Sequence, residues 1–366
     1  MIDFRHRFAV WKTIATNHGC VFKNVDFIAD DNGVRVVAER PSERIFLHVP
    51  AKLLVNLDDV KLTDDAHQVI PSSCSNGVWR ALIDDMLGFI LSPGRLTKRR
   101  QLLREFNRLP PTLKYTLANS GLTPALCAQE NPNSLVSKSL AALQEDRSGS
   151  HSEILAPKDK ELKYHLLKER VLKDKNQTFV LMPFIDFINH DSEGLTFQVG
   201  DAGLTVSGLC SPSREVFAKY NHSDPWGLLD GYLFTGPSHY AFSVSAQLRL
   251  PDGCRLVIAR RAEDYEPHEN GLRIPKTERE GQTVHFSNLW LGAVERPESP
   301  FESFKIAWES LGRGNAFSVF SQIVRHNWAI MREIRHLCQG VDTAAGQLVR
   351  LALDEHLRVL SQQHIS

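Results

Sequence analysis

Apolar and polar positions change their spacing several times along the chain, and each change marks a different kind of element. Residues 33–55, GVRVVAERPSERIFLHVPAKLLV, hold two short β-rich runs with a polar turn between them, the second punctuated by Pro50. This pattern predicts a hairpin. From Trp79 to about residue 106 the apolar positions fall three and four apart (Trp79, Leu82, Ile83, Met86, Leu87, Ile90), which predicts helix. Residues 145–161 are polar and broken by glycine and proline, and are read as an exposed loop.

Strand-like runs return at 179–182, 197–199, 204–209, 215–218 and 240–250, with turn residues between them. Beyond about residue 301 the period is helical again, through Phe301, Phe304, Ile306, Trp308 and Leu311, then 317–337, then Leu348, Leu351, Leu357 and Leu360. The order is therefore β, helical insert, β, helical tail. It predicts an α+β chain of short sheets with a helical insert, followed by an all-α C-terminal domain.

Composition narrows the functional classes. With 42% hydrophobic and 23% charged residues over 366 positions, the chain can build a core and about two or three structural units. Lysine plus arginine and aspartate plus glutamate number 43 each, so no net field draws it toward nucleic acid or an anionic membrane. Neither partner is expected. No apolar run reaches the ~18 residues of a membrane span and the N-terminus has no signal-peptide pattern, so a cytoplasmic protein is expected. Cys20, Cys74, Cys127, Cys210, Cys254 and Cys338 are scattered singly. That spacing predicts reduced thiols and no metal.

The chemistry concentrates between residues 179 and 234. FVLMPFIDFINHD is an apolar strand running through Pro183 and Asp186 to Asn189 and His190, whose amide and imidazole can hold a polar ligand in one orientation. Taken alone, Asn-His-Asp is also a common turn composition. After it, REVFAKYNHSDPWGLLDGYLF places a strand, Tyr220, the pair Leu228-Leu229, then Tyr232 and Phe234. A tyrosine ending a strand can be no more than a half-buried core residue.

In combination, Pro183, Asp186, Asn189, His190, Tyr220, Leu228, Leu229, Tyr232 and Phe234 resemble the C-terminal half of a SET domain of the Rubisco large-subunit methyltransferase class. Trp11, the strand from Gly33 to Ala38 and the run from Phe46 to Leu54 resemble its N-terminal half. The resemblance implies a mostly-β SET fold split into 1–78 and 162–250, a helical insert at 79–161, a connecting segment at 251–300 and a helical domain at 301–366; the sequences of the insert and of the connecting segment do not themselves match the family. It implies S-adenosylmethionine as cofactor and a protein substrate methylated on nitrogen, lysine before histidine.

By the same resemblance Tyr220 is the catalytic tyrosine. Gly33, Arg35, Asp186, Asn189, His190, Tyr220 and Phe234 would bind the cofactor, and Phe197 and Tyr232 would line the substrate channel. Arg170 stands near the family's cofactor-carboxylate arginine, but its shifted spacing reads as a solvated helix arginine.

The chain departs from the family where Arg35 replaces the second glycine of the first cofactor motif, and Tyr220-Asn221 and Tyr232-Leu233-Phe234 replace glycine-containing signatures. A decayed SET fold used for binding, and a methyltransferase of small amines, therefore stay open. Gly312-Arg313-Gly314 lacks the third glycine and the strand of a dinucleotide fingerprint. There is no Walker loop and no His-Glu-x-x-His. The C-terminus also lacks the cysteine cluster that nuclear histone-type SET enzymes use for zinc, and by that resemblance a non-histone target is expected.

Overall fold

A computed structural model describes residues 4–30, 33–63, 65–69, 76–123, 126, 159–173, 178–210, 214–220, 224–260, 265–267 and 272–362. In chain order the elements begin with α1 (Phe4–Asn17), β1 (Val21–Lys23), β2 (Asp26–Asp30), β3 (Gly33–Val37), β4 (Ile45–Pro50), β5 (Val55–Asn56), β6 (Val60–Leu62) and β7 (His67–Val69). Helices α2 (Gly77–Ile90), α3 (Pro93–Asn107), α4 (Pro111–Asn119) and α5 (Asp159–Lys168) follow. Next come β8 (Val171–Lys173), β9 (Phe179–Leu181), β10 (Asn189–Leu195), β11 (Phe197–Gly200), β12 (Gly203–Gly208), β13 (Phe217–Ala218) and α6 (Pro225–Tyr232). The strands β14 (Tyr240–Phe242), β15 (Ala246–Arg249), β16 (Arg255–Ile258), β17 (Tyr265–Pro267), β18 (Arg273–Pro275), β19 (Thr277–Glu280), β20 (Thr283–Phe286) and β21 (Trp290–Ala293) precede α7 (Ser299–Ser310), α8 (Ala316–Leu337) and α9 (Ala344–Leu360). The fold class is α+β.

The chain divides into two compact units, one built from 1–100 with 155–221, the other from 101–154 with 222–366. In the first, β1, β4, β12 and β11 form one sheet in that order, with β4 antiparallel to both β1 and β12. Alternation along β4 explains its central place, since Ile45, Leu47 and Val49 are buried and their neighbours half-exposed. An aromatic core holds α1 and α2 on this unit: Phe8, Trp11, Phe27, Phe89 and Phe187 pack at centroid distances from 4.8 to 6.5 Å. The Trp11 indole donates to Asp85 at 2.7 Å, and Arg7 pairs with the same carboxylate.

The hairpin expected over 33–55 does not form. β3 pairs instead with β2, Gly33 opposite Asp30, while β4 turns to β1 and β12. The segment between them is wound around a buried side chain instead: the Asn24 amide donates to the carbonyls of Arg40 and Glu43 at 2.8 and 3.0 Å and its oxygen accepts from the Arg40 N–H. The helical pattern expected over 79–106 is present as two helices, because Pro93 starts a new helix at the break after Ile90. The run 240–250 is likewise two strands, β14 and β15. Of the expected loop at 145–161, residues 145–158 lie outside the described residues, and Asp159 begins α5.

In the second unit β15, β16, β20 and β19 form a sheet in which β16 and β20 are parallel, and β14 pairs with β21. Residues 251–300, read as a connecting segment, thus supply most of this unit's strands. Its core joins Leu256, Val284 and Phe286 of the sheet to Phe304 and Trp308 of α7, Phe320 of α8 and Leu353 of α9. Asp224 is buried here, capping α6 through the Gly227 N–H at 2.9 Å and pairing with Arg260. Burial works to raise its pKa, but Arg260 and His356 outweigh it and hold the carboxyl well below the usual range. Among the described residues no helix is long and apolar enough to cross a membrane.

Candidate functional site

After β9 the chain reaches Pro183 and then Phe184, a fully buried residue in the left-handed region at φ 67°. Holding a phenylalanine there costs roughly 1–3 kcal/mol, which its packing against Phe22 and Phe27 offsets. The bend leads through a short 3-10 turn, Ile185–Phe187, into β10, which starts at Asn189 and His190.

β10 lies parallel to β13, with Asn189 opposite Phe217 and His190 opposite Ala218. This closeness needs Gly194, since a Cβ there would stand 2.6–2.7 Å from the backbone of Ala218. Tyr220, just past β13, is thereby delivered to His190: its N–H donates to His190 Nδ1 at 3.0 Å, and the two rings lie 5.2 Å apart. In a neutral imidazole that bond leaves the proton on Nε2. Burial lowers the His190 pKa, with Asp191 opposing, so the neutral ring prevails near pH 7. The Tyr220 hydroxyl donates to the carbonyl of Ile188, and the ring of Phe197 lies 6.2 Å from that of Tyr220.

Residues 214–216 run beside β3, with Val216 N–H donating to Val36 O and Ala38 N–H to Arg214 O, each at 2.8 Å. That brings in the N-terminal part of the site. Asn189 donates to Glu215 Oε1 at 2.8 Å, and Arg35 lies 3.9 Å from Glu215 Oε2. Gly33 has φ +132°, which a side chain would resist, and among the described residues nothing comes within 4 Å of where its Cβ would be. A ligand can approach the backbone there.

Asp186 sits beneath these residues, buried, with the Arg170 guanidinium donating to its backbone carbonyl at 2.9 Å and to Oδ2 at 3.3 Å. Oδ1 is buried with no hydrogen-bond partner among the described residues. Burial pushes this carboxyl up to about 6, against the pull of Arg170 and Arg95. Arg170 is therefore not the solvated helix arginine that its spacing suggested: α5 ends at Lys168 and the next turn points the side chain at Asp186. Arg99, paired with Glu169, completes a basic layer, and burial pulls the pKa of Arg95 and Arg99 down to about 10 each.

Gly33, Arg35, Asp186, Asn189, His190, Phe197 and Tyr220 thus belong to one unit. Tyr232 and Phe234 belong to the other, 5.8 Å apart around Leu233, which ends α6 in the left-handed conformation. The sequence reading missed Glu215, which links Asn189 to Arg35. Its only signal was a charge opening an otherwise apolar strand. Cys20, Cys210, Cys254 and Cys338 are free thiols, while Cys74 and Cys127 lie outside the described residues. Among the described residues no cluster could hold a metal ion.

No protein-family model matches the chain. An uncharacterized protein of Aquifex aeolicus (strain VF5) is 35% identical to it over 117 residues, 31% of this chain and 96% of that protein. Two solved structures are similar in shape, each at 14% identity and covering 98% of this chain and 90% of the other. One is the SET domain of LSMT bound to lysine and AdoHcy, at a TM-score of 0.44. The second, at 0.43, is Rubisco LSMT bound to AdoMet. At such scores the residues of the site must carry any functional conclusion.

Proposed function

We propose, for a chain that belongs to one family with the uncharacterized Aquifex aeolicus protein, that it is an N-methyltransferase of the SET type, using S-adenosylmethionine and acting on a lysine of a non-histone protein. The observation that carries this reading is the parallel pairing of β10 with β13, which joins Asn189 and His190 to Tyr220 at the end of the neighbouring strand.

The residues present suit the cofactor. Gly33 leaves an open backbone edge, Asn189 offers an amide, His190 a neutral ring with its tautomer fixed, and Asp186 a rigid support for the turn before them. When bound, S-adenosylmethionine supplies an electrophilic methyl group on a sulfonium. The protein must then supply a neutral amine. Deprotonating a lysine of pKa about 10.4 at pH 7 costs roughly 4.6 kcal/mol. An apolar approach past Phe197 lowers that cost by disfavouring the ammonium. The Tyr220 hydroxyl donates its hydrogen bond to Ile188 O, so toward an incoming amine its oxygen would act as an acceptor that orients the N–H.

The rival reading, a binding protein on a decayed site, draws on Arg35 in the cofactor motif and on Asn189 being held by Glu215. Calorimetry and turnover separate them. Micromolar binding of S-adenosylmethionine is expected, with Tyr220→Phe lowering kcat about a hundredfold and leaving cofactor affinity nearly intact. No heat of binding by the folded protein at several hundred micromolar cofactor would sink the enzyme reading. Mass spectrometry of labelled lysate proteins and small molecules then distinguishes a protein target from a free amine.

A further inference from the structure

Past His190 along β10 lies a depression of about 230 Å³ to which the proposed methyl transfer assigns no role, lined by Asp191, Glu193, Leu195, Cys210, Val216 and Phe217. Two glycines shape it. Gly194 lets β10 lie directly against β13, and at Gly208 a Cβ would fall 2.4 Å from Leu195 Cδ2, so the bare strand accepts the leucine side chain. Leu195, Val216 and Phe217 give the lining an apolar surface, and Asp191 and Glu193 give it carboxylates. The Asp191 carboxylate is held in place, accepting from the Glu193 N–H at 2.8 Å. Its charge acts on the neighbouring His190 ring, as does the opposite charge of Lys219.

An apolar wall with carboxylates suits a long side chain that has an aliphatic stem and a cationic head, and a volume of this size takes one such side chain. We propose that the depression is the subsite for an arginine of the protein substrate that flanks the methylated lysine. The proposal rests on the methyltransferase reading and deepens it. Contact with the carboxylates would be charge-assisted, and a guanidinium can meet them through more than one N–H. The depression lies one residue beyond His190, so an occupant there would fix the register of the substrate chain relative to Tyr220.

The test uses single-lysine peptides with arginine, alanine or glutamate at each flanking position in turn, incubated with the full-length protein and labelled S-adenosylmethionine. Arginine at one position is expected to lower KM about tenfold relative to alanine, and glutamate there to raise it. The double variant Asp191→Asn, Glu193→Gln should lose this preference while keeping kcat on the alanine peptide and the affinity for S-adenosylmethionine. In a second measurement the preferred peptide should protect Cys210 from iodoacetamide, read by peptide-resolved mass spectrometry. Methylation without positional preference, a preference that survives in the double variant, or unprotected Cys210 overturns the subsite alone. Absence of cofactor binding is a different result and removes the parent reading together with it.

Discussion

Asp186 is a carboxylate whose surroundings resist its ionisation, although three arginines lie in the same layer. Burial outweighs the attraction of Arg170 and Arg95 and sets its pKa near 6, above the 3.8 of an exposed aspartate. Below about pH 4 the group is neutral whether the chain is folded or not. Between there and pH 6 the unfolded chain loses the proton first, so the folded state binds more protons and stability falls as pH rises through that window. Above it the contribution is flat. Thermal unfolding of wild type and Asp186→Asn between pH 4 and 7 should therefore show the variant gaining on the wild type as pH rises. A variant that falls behind instead would mean that the ion pair with Arg170 prevails over burial.

At the scale of elements, the close pairing of β10 with β13 depends on one missing methyl group. Gly194→Ala would drive a Cβ into the Ala218 backbone, which cannot move aside as a side chain can. A loss of about 1–3 kcal/mol or more is expected, seen as a lower urea midpoint with unchanged slope, together with weaker S-adenosylmethionine binding. Wild-type affinity in a destabilised variant would uncouple this pairing from the proposed cofactor site. Local patterns showed the strands and helices well, because the alternation in β4 and the helical spacing of α8 reflect burial on one face. Strand partners were not legible in the same way. β3 and β4 are adjacent in sequence with a polar turn between them, yet that turn is held by Asn24, a buried residue from before β2, and the two strands pair with others. Nor could spacing reveal the β-rich nature of 251–300 or the inward turn of Arg170, since both depend on contacts made from far along the chain. Asn189, His190 and Tyr220 were legible as a pattern, whereas Glu215, which ties Asn189 to the β3 side, was not.

For the whole molecule, the helical tail packs on the strands of residues 240–293 within the second unit, so it cannot be removed without exposing that core. Its outer face can be altered more gently. Arg335 meets Asp354 at 2.8 Å with both side chains more than half exposed, a pair worth at most about 1 kcal/mol. If this face receives the protein substrate, charge reversal at Arg332 and Arg335 should raise KM for that substrate, with cofactor affinity and Tm nearly unchanged. Unaltered kinetics would move recognition elsewhere on the protein.

In the first sheet β4 lies between β1 and β12, with Ile45 opposite Gly208. Seen in the order of synthesis, β1 and β4 leave the ribosome long before β12, and the helices between them must be made while the sheet is still open. Throughout that interval Ile45, Leu47 and Val49 belong to a strand with one bare edge, which is the kind of surface that nascent-chain chaperones cover. The tyrosine of the site arrives only twelve residues after Gly208, so the step that closes the sheet and the step that assembles the site fall almost together, and a translating ribosome never carries the second without the first.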